Sequence, residues 1–386
     1  METFIEQHEV EMLAFIEKLV NIDSGSYDKQ GVDKIGEILT KHYKELGFNV
    51  IVESQEEHGN HLIIQHKDAI NPAIIILAHM DTVFPEGTVS ERPFQMIGNR
   101  AYGPGVIDMK ASHATVLYAI KALLSEGHEG YKNIVIVLNS DEEIGSPSSR
   151  SIIEREAKGK KYALVMEPAR KDGSLVSSRR GKGNYTLIVE GKAAHSGIEP
   201  EKGRSAIAEL AHKIIQLHEL SDHENGISVN VGLIEGGSSA NTVSDHAEAQ
   251  IDIRIKEIEQ VELLEERLEK ICASSDVAGT KISLEGEMNR PPMEKNKKTR
   301  ALLRIIQDVG DEIGIEIEDT STGGGSDASF TSSLGVATID GLGPVGGNAH
   351  SDKEYLEVPS LVERTLLLAT IIKRLTQKLQ SSNTLK

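Results

Sequence analysis

The chain is poor in several features that commonly announce a function. Its 386 residues include one cysteine, no tryptophan and only 4% aromatic side chains. A lone thiol, Cys272, closes no intramolecular disulfide, and it excludes a multi-thiolate zinc site. No window approaches the roughly 18 consecutive apolar residues that a membrane-spanning helix requires. The opening Met1-Glu2-Thr3-Phe4-Ile5-Glu6 is acidic and amphipathic, without the basic segment and apolar run of a secretory leader, so the expected location is cytoplasmic. Positive charge is also scarce: 42 Lys and Arg face 60 Asp and Glu, for a formal net charge of -18. Nucleic acids and anionic membranes reward a basic face, and neither is an expected partner.

What the chain does contain is a set of apolar runs that stop at potential metal ligands. Ile74-Ile75-Ile76-Leu77-Ala78 ends on His79, with Asp81 two positions on. Such a run reads as a strand buried on both faces, and open α/β sheets place ligands at the carboxyl ends of their strands. An imidazole followed closely by a carboxylate suggests a ligand with its orienting partner. The run at 133–139 stops at Ser140-Asp141-Glu142-Glu143, and the run at 162–166 stops at Glu167-Pro168.

The remaining pattern sets the architecture. Helical spacing is expected at 7–20, 33–46, 109–125, 147–156, 298–313 and 360–379, with fraying from Gln380, and strands at 49–52 and 61–65. Residues 81–105 read as a long Gly- and Pro-containing loop. From about residue 177 the order becomes strand (184–190), helix (201–217), strand (227–235), strand (247–256), helix (258–272), strand (281–287). That order is ferredoxin-like. The expected fold class is therefore α/β: a discontinuous domain (1–176 and 290–386) with a mixed, mostly parallel central sheet flanked by helices, plus an inserted ferredoxin-like α+β domain (177–289).

The candidate ligands are His79, Asp108, Glu142 or Glu143, Glu167 and His350, with Asp108 and His350 in Gly-containing loops rather than at strand ends. Each has a bland reading alone: Asp108 as a helix N-cap, Asp141-Glu142-Glu143 as a solvated turn, His350 as a turn residue. Together, two imidazoles, two terminal acids and one acid able to bridge suit a pair of divalent ions, zinc before cobalt or manganese. Adjacent acids at a strand end diverge, so one can bind metal while the other takes a proton from water.

These residues resemble a known family, the zinc-dependent exopeptidases comprising aminoacylase, acetylornithine deacetylase, succinyl-diaminopimelate desuccinylase and carboxypeptidase G. The resemblance rests on His79-Met80-Asp81-Thr82-Val83, Gly103-Pro104-Gly105-Val106-Ile107-Asp108-Met109-Lys110, Asp141-Glu142-Glu143-Ile144-Gly145, Met166-Glu167-Pro168, Gly191-Lys192-Ala193-Ala194-His195-Ser196-Gly197, Gly323-Gly324-Gly325-Ser326-Asp327 and His350-Ser351-Asp352. It spans nearly the whole chain and is closest to the carboxypeptidase G (glutamate carboxypeptidase) branch. The resemblance implies that His79 and Glu167 complete one zinc site, Glu143 and His350 the other, and that Asp108 bridges them. It implies that Asp81 orients His79, that Glu142 is the general base, and that the Asp108-Met109 peptide is cis. It further implies that the inserted domain is a lid and homodimerisation module whose His195 reaches the partner subunit's active site. Asn241 would assist there, while Arg254 and the backbone at Gly324 and Gly325 would hold a substrate carboxylate. Two departures stand out: Met109-Lys110-Ala111-Ser112 follows the bridging position where many relatives have Met-Lys-Gly-Gly, and Thr320-Ser321-Thr322 precede the Gly-rich turn where carboxypeptidase G has an arginine.

The resulting expectation is a cytoplasmic di-zinc hydrolase acting on a small peptide or N-acyl amino acid, at an amide bond adjacent to a free C-terminal carboxylate. An N-acyl-amino-acid deacylase is the alternative within the family. A catalytically silent, metal-binding dimeric scaffold and a two-metal phosphoesterase are the rivals from other classes.

Overall fold

A computed structural model of the protein describes residues 1–384. The chain forms two compact units: Met1–Ser178 with Lys295–Thr322 and Ser326–Lys386, and Arg179–Glu294 with Gly323–Gly325.

The first unit is built on a six-stranded mixed sheet in the order Phe48–Glu53, His61–His66, Ile134–Asn139, Ile74–His79, Tyr162–Val165, Ala337–Ile339. The last four run parallel, and the first two pair antiparallel at one edge. This is the mixed, mostly parallel sheet flanked by helices that the apolar runs predict. Ile74–His79 and Ile134–Asn139 are buried along their whole lengths, as continuous β-branched runs between two helical layers should be. Helices Glu9–Val20, Lys29–Glu45, Ala111–Ser125, Lys297–Ile313 and Pro359–Thr384 supply most of the side chains of the accompanying core. Local signals explain their limits. Asn296 caps Lys297–Ile313 by accepting from Lys298 N and Thr299 N, and Gly314 ends it at φ +76°.

Four features depart from the pattern read along the chain. The first helical stretch is two helices, Glu2–Gln7 and Glu9–Val20, parted at His8, whose Nδ1 lies 2.7 Å from the Phe4 carbonyl oxygen. The C-terminal helix continues past Gln380 to Thr384, and the rest of the expected frayed tail lies outside the described residues. Within 81–105 there is a short helix, Thr88–Glu91, and two three-residue strands, Gln95–Ile97 and Arg100–Tyr102. The latter pairs with Tyr355–Glu357, which pairs in turn with Gly346–Gly347. Three residues are too few for alternation to show, and the partner strand lies some 250 positions away in sequence. Finally, Asp108 caps no helix: Ala111–Ser125 begins after Lys110.

The second unit contains a four-stranded antiparallel sheet ordered Ser228–Gly236, His246–Ile255, Gly181–Glu190, Lys281–Arg290, with helices Ala206–His218 and Gln260–Cys272. Burial alternates along Gly181–Glu190 and His246–Ile255, so one sheet face carries the core of Leu187, Val189, Ala249, Ile251 and Ile253. One polar network is sunk into this unit. Glu209, fully buried, accepts from Asp276 N, Val277 N and Thr280 Oγ1, while the buried Lys213 lies 3.4 Å from it and donates to Asp276 Oδ2 at 2.8 Å. Removing one charge of a buried pair strands the other. Lys213→Ala should therefore destabilise this unit by about 3–5 kcal/mol in chemical denaturation, whereas the exposed pair Lys202–Glu199 should contribute about 0–1 kcal/mol.

Candidate metal centre

Parallel pairing aligns the ends of the central strands. His79 stands beside Asn139, and Leu77 beside Val165, so Glu142, Glu143 and Glu167 leave the sheet close to His79. The fourth contributor, Asp108, comes from a turn that backbone permits only because Gly105 adopts φ +71°; a Cβ there would meet Thr82 Cγ2 at 2.4 Å. The Asp108-Met109 peptide is cis. His350 sits in the loop between the short strands Gly346–Gly347 and Tyr355–Glu357, at φ +63°, a left-handed conformation rare for a residue with a Cβ.

These side chains converge. Asp108 Oδ1 is 3.1 Å from His79 Nε2, and its other oxygen, Oδ2, is 3.1 Å from His350 Nε2. The two imidazoles thus address opposite oxygens of one carboxylate. Glu143 Oε2 lies 3.1 Å from His350 Nε2, and Glu167 Oε1 lies 3.8 Å from His79 Nε2. His79, Glu142 and Glu167 bring ligand atoms within 4.8 Å of one another, as do His79, Asp108 and Glu143. The two adjacent acids, indistinguishable in sequence, are separated by the fold: Glu143 sits against His350, and Glu142 reaches the His79–Glu167 side.

Hydrogen bonding orients His79. Its Nδ1 is 2.9 Å from the main-chain oxygen of Asp81, which can only accept, so Nδ1 carries a proton and Nε2 faces the cluster. The Asp81 carboxylate is 3.5 Å from Nδ1. It also accepts from Ser26 Oγ at 2.7 Å and from the backbone N–H groups of Glu142 and Glu143 at 3.2 Å each, tying the acidic turn to the strand end.

The electrostatics show what the cluster is short of. Four carboxylates (Asp108, Glu142, Glu143, Glu167) share the space with two imidazoles. Burial and the Asp108 charge push the Glu167 carboxyl well above its usual range, and burial likewise raises Glu143. Burial opposes charge on His79, yet Asp108, Asp81 and Glu167 outweigh it and hold the ring well above 6.5, while hydrogen bonds to Asp108 and Glu143 push His350 up to about 11. Glu143 Oε1 is buried with no hydrogen-bond partner among the described residues. Divalent cations fit this arrangement: they would compensate the four carboxylates in their ionised form, satisfy that oxygen, and suit an all-nitrogen-and-oxygen donor set.

Residues not anticipated from the sequence hold the cluster in place. Glu354, buried, accepts from Gly105 N (3.1 Å), Ile107 N (2.9 Å) and Asp108 N (3.1 Å), joining the His350 loop to the Asp108 turn. His113 Nε2 donates to the His79 carbonyl oxygen at 2.8 Å, and burial depresses its pKa to about 3. Ser112 donates to Met166 O at 2.6 Å, just ahead of Glu167. A histidine inside the largely apolar helix Ala111–Ser125 was a readable signal; Glu354, in a polar loop, had none.

The other expected site residues belong to the second unit. Ala194–His195 pairs with Thr242–Val243, and Ser196 N donates to Asn241 O at 2.9 Å, so His195 and Asn241 stand side by side. His195 is exposed, and its Nδ1 accepts from Gly197 N at 3.1 Å, which leaves the proton on Nε2. Arg254 forms a fork with Asp252 (2.8 and 3.1 Å) and donates to Gly323 O at 3.3 Å. Arg179, absent from the sequence reading, donates to Gly324 O at 3.1 Å and Gly325 O at 3.4 Å. Two guanidinium groups therefore meet the Gly-rich turn, although no arginine directly precedes it.

The sequence profile of peptidase family M20/M25/M40 matches residues 75–374. The chain belongs to this family. It is therefore a metallopeptidase-type hydrolase. Among family relatives, carboxypeptidase G2 of Pseudomonas sp. (strain RS-16) is 29% identical over 92% of this chain and 87% of its own length. Succinyl-diaminopimelate desuccinylase of Thioalkalivibrio sulfidiphilus (strain HL-EbGR7) is 27% identical over 79% of this chain and 84% of its own. The crystal structure of aminopeptidase PepT from Bacillus cereus ATCC 10987 shares the fold at a TM-score of 0.78 and 24% identity, covering 95% of this chain and 99% of that one. No helix among the described residues is long and apolar enough to cross a membrane.

The clamp on the Asp108 turn is testable. Glu354→Ala should weaken metal affinity about 10–100-fold while the circular dichroism spectrum is retained, as measured by competition with a chromophoric chelator.

Proposed function

We propose that the protein hydrolyses an amide bond adjacent to a free C-terminal carboxylate, as a carboxypeptidase of the glutamate carboxypeptidase type. The observation that carries this reading is the Asp108 carboxylate, which presents one oxygen to each of two imidazoles. Zinc is the proposed metal, with His79 and Glu167 holding one ion, Glu143 and His350 the second, and Asp108 both. Two such ions would acidify a shared water and polarise the scissile carbonyl.

The chain's own groups do the rest. Glu142, beside the His79–Glu167 pair but not needed to complete either ligand set, takes the proton from water and delivers it to the leaving amine. Asp81 holds the Glu142 and Glu143 backbone in register, so both acids keep their separate directions. His195, with its proton on Nε2, is suited to donate to the oxyanion, acting from the partner subunit of a homodimer assembled through the second unit, with Asn241 beside it. Arg254, with the backbone at Gly324 and Gly325, binds the substrate carboxylate, and Arg179 at the same turn offers a second guanidinium. The proposed location is the cytoplasm.

Deacylation of an N-acyl amino acid is the second reading. It is favoured by the desuccinylase relative, and it uses the same bond chemistry.

Chelation should abolish hydrolysis of a panel of dipeptides and N-acyl amino acids, and added zinc, cobalt or manganese should restore it. In Glu142→Ala, two ions per subunit should remain by elemental analysis while kcat falls about 10²–10⁴-fold. Unchanged turnover in that variant rules out Glu142 as the base; loss of an ion places it among the ligands.

A further inference from the structure

The Gly-rich motif Gly323-Gly324-Gly325-Ser326-Asp327 ends on an acid that the chemistry proposed above leaves without a task. Asp327 is 3% exposed and stands at the N-cap of the helix Ala328–Ser333. An aspartate in that position ordinarily turns its carboxylate onto the first N–H groups of the helix. This one makes no such bond. Ser326 Oγ takes the Ala328 N–H instead, at 3.2 Å, and the Asp327 carboxylate is committed elsewhere.

Its two oxygens reach the two ends of one short segment. Oδ2 accepts from Asn139 Nδ2 at 2.7 Å, and Oδ1 accepts from Ser146 Oγ at 2.5 Å. Asn139 ends the strand Ile134–Asn139 and pairs beside His79, while Ser146 ends the turn that carries Glu142 and Glu143. That turn is closed by Gly145 N donating to Glu142 O at 2.9 Å and Ser146 N donating to Asp141 O at 2.8 Å. Ser146 adopts φ +60°, a left-handed conformation that strains a residue with a Cβ and persists where its surroundings enforce it. Ser149 Oγ accepts from Asn139 Nδ2 at 3.0 Å and donates to Asp141 Oδ1 at 2.5 Å, so buried polar groups ring the segment. Asp327 is itself anchored, because Ser326 Oγ donates to Asp340 Oδ2 at 2.6 Å, next to the edge strand Ala337–Ile339.

Beyond Asn139 the acidic turn has no strand pairing to stiffen it, and the directions of Glu142 and Glu143 follow from its backbone. We propose that Asp327 is a positioning residue: by holding Asn139 and Ser146 together it keeps Glu143 against His350 and Glu142 on the His79–Glu167 side. Its effect on proton transfer by Glu142 rests on the amidohydrolase reading above. Its effect on Glu143 is felt in metal affinity whatever the reaction.

The test compares Asp327→Ala and Asp327→Asn with the wild type. A carboxamide can accept from Asn139 and donate to the Ser146 hydroxyl, so the asparagine variant retains both holds without the charge. Asp327→Ala should lower kcat about 10–100-fold with KM changed by no more than about twofold. Zinc affinity, by competition with a chromophoric chelator, should fall about tenfold. In the metal-free protein, peptides covering residues 139–146 should exchange amide hydrogens faster, with exchange in the strand Ile74–His79 unchanged. Asp327→Asn should restore kcat and zinc affinity to within about threefold of wild type. Wild-type kcat and zinc affinity in Asp327→Ala, a change confined to KM, or an asparagine variant as impaired as the alanine one would overturn the proposal. Should Asp327→Ala not fold, Ser146→Ala removes one of the two holds and should cost about 3–10-fold in zinc affinity, and no loss there overturns it equally. If the wild type hydrolyses no amide, the amidohydrolase reading fails, and zinc affinity and hydrogen exchange still decide whether Asp327 positions the turn.

Discussion

The structure depends on one shared carboxylate. Asp108 presents an oxygen to each of two imidazoles drawn from segments some 270 positions apart. Holding a carboxylate there requires its backbone to be fixed, and Glu354 does so by accepting from three N–H groups of the turn, those of Gly105, Ile107 and Asp108. Because Glu354 lies four residues after His350, one short segment both supplies a ligand and anchors the bridging acid. The small sheet formed by Arg100–Tyr102 and Tyr355–Glu357 brings those segments together in the first place.

Around this point the sheet acts as a rigid mount. Strands buried on both faces have little freedom, and their aligned ends hold His79 and the Glu142-Glu143 turn at fixed separations. Further hydrogen bonds then orient each group: the Asp81 carbonyl oxygen on the His79 ring, the Asp81 carboxylate on the acidic turn, His113 on the His79 backbone. Four acids packed with two imidazoles repel one another in a largely water-excluded space. Bound cations relieve that repulsion with every acid ionised, which is why the same cluster reads as a metal centre from its charges and from its distances.

Much of the molecule was legible along the chain. Continuous apolar runs marked the buried strands, because a strand covered on both faces has no polar side to alternate with. The strand-helix-strand-strand-helix-strand order marked the α+β module, whose sheet has the ferredoxin-like strand order. His79, Glu142, Glu143 and Glu167 stood out because each follows such a run, and the motifs around Asp108 and His350 were specific enough to place the chain in its family. Where the pattern misled, the cause was length or distance. The strands within 81–105 are too short for a period, and the first helix breaks at a histidine that bonds locally to the preceding turn.

By itself, then, the sequence determined which residue types could hold metal and which elements would carry them, because burial and ligand chemistry are written in local composition. Only the tertiary structure decided which of two adjacent acids faces which imidazole. It also decided that the Asp108 oxygens are divided between His79 and His350, that Glu354 clamps the turn, and that Arg179 joins Arg254 at the Gly-rich turn. Each of these depends on a contact between residues far apart in the chain, and the direction of a side chain at a strand end is set by its neighbours in space.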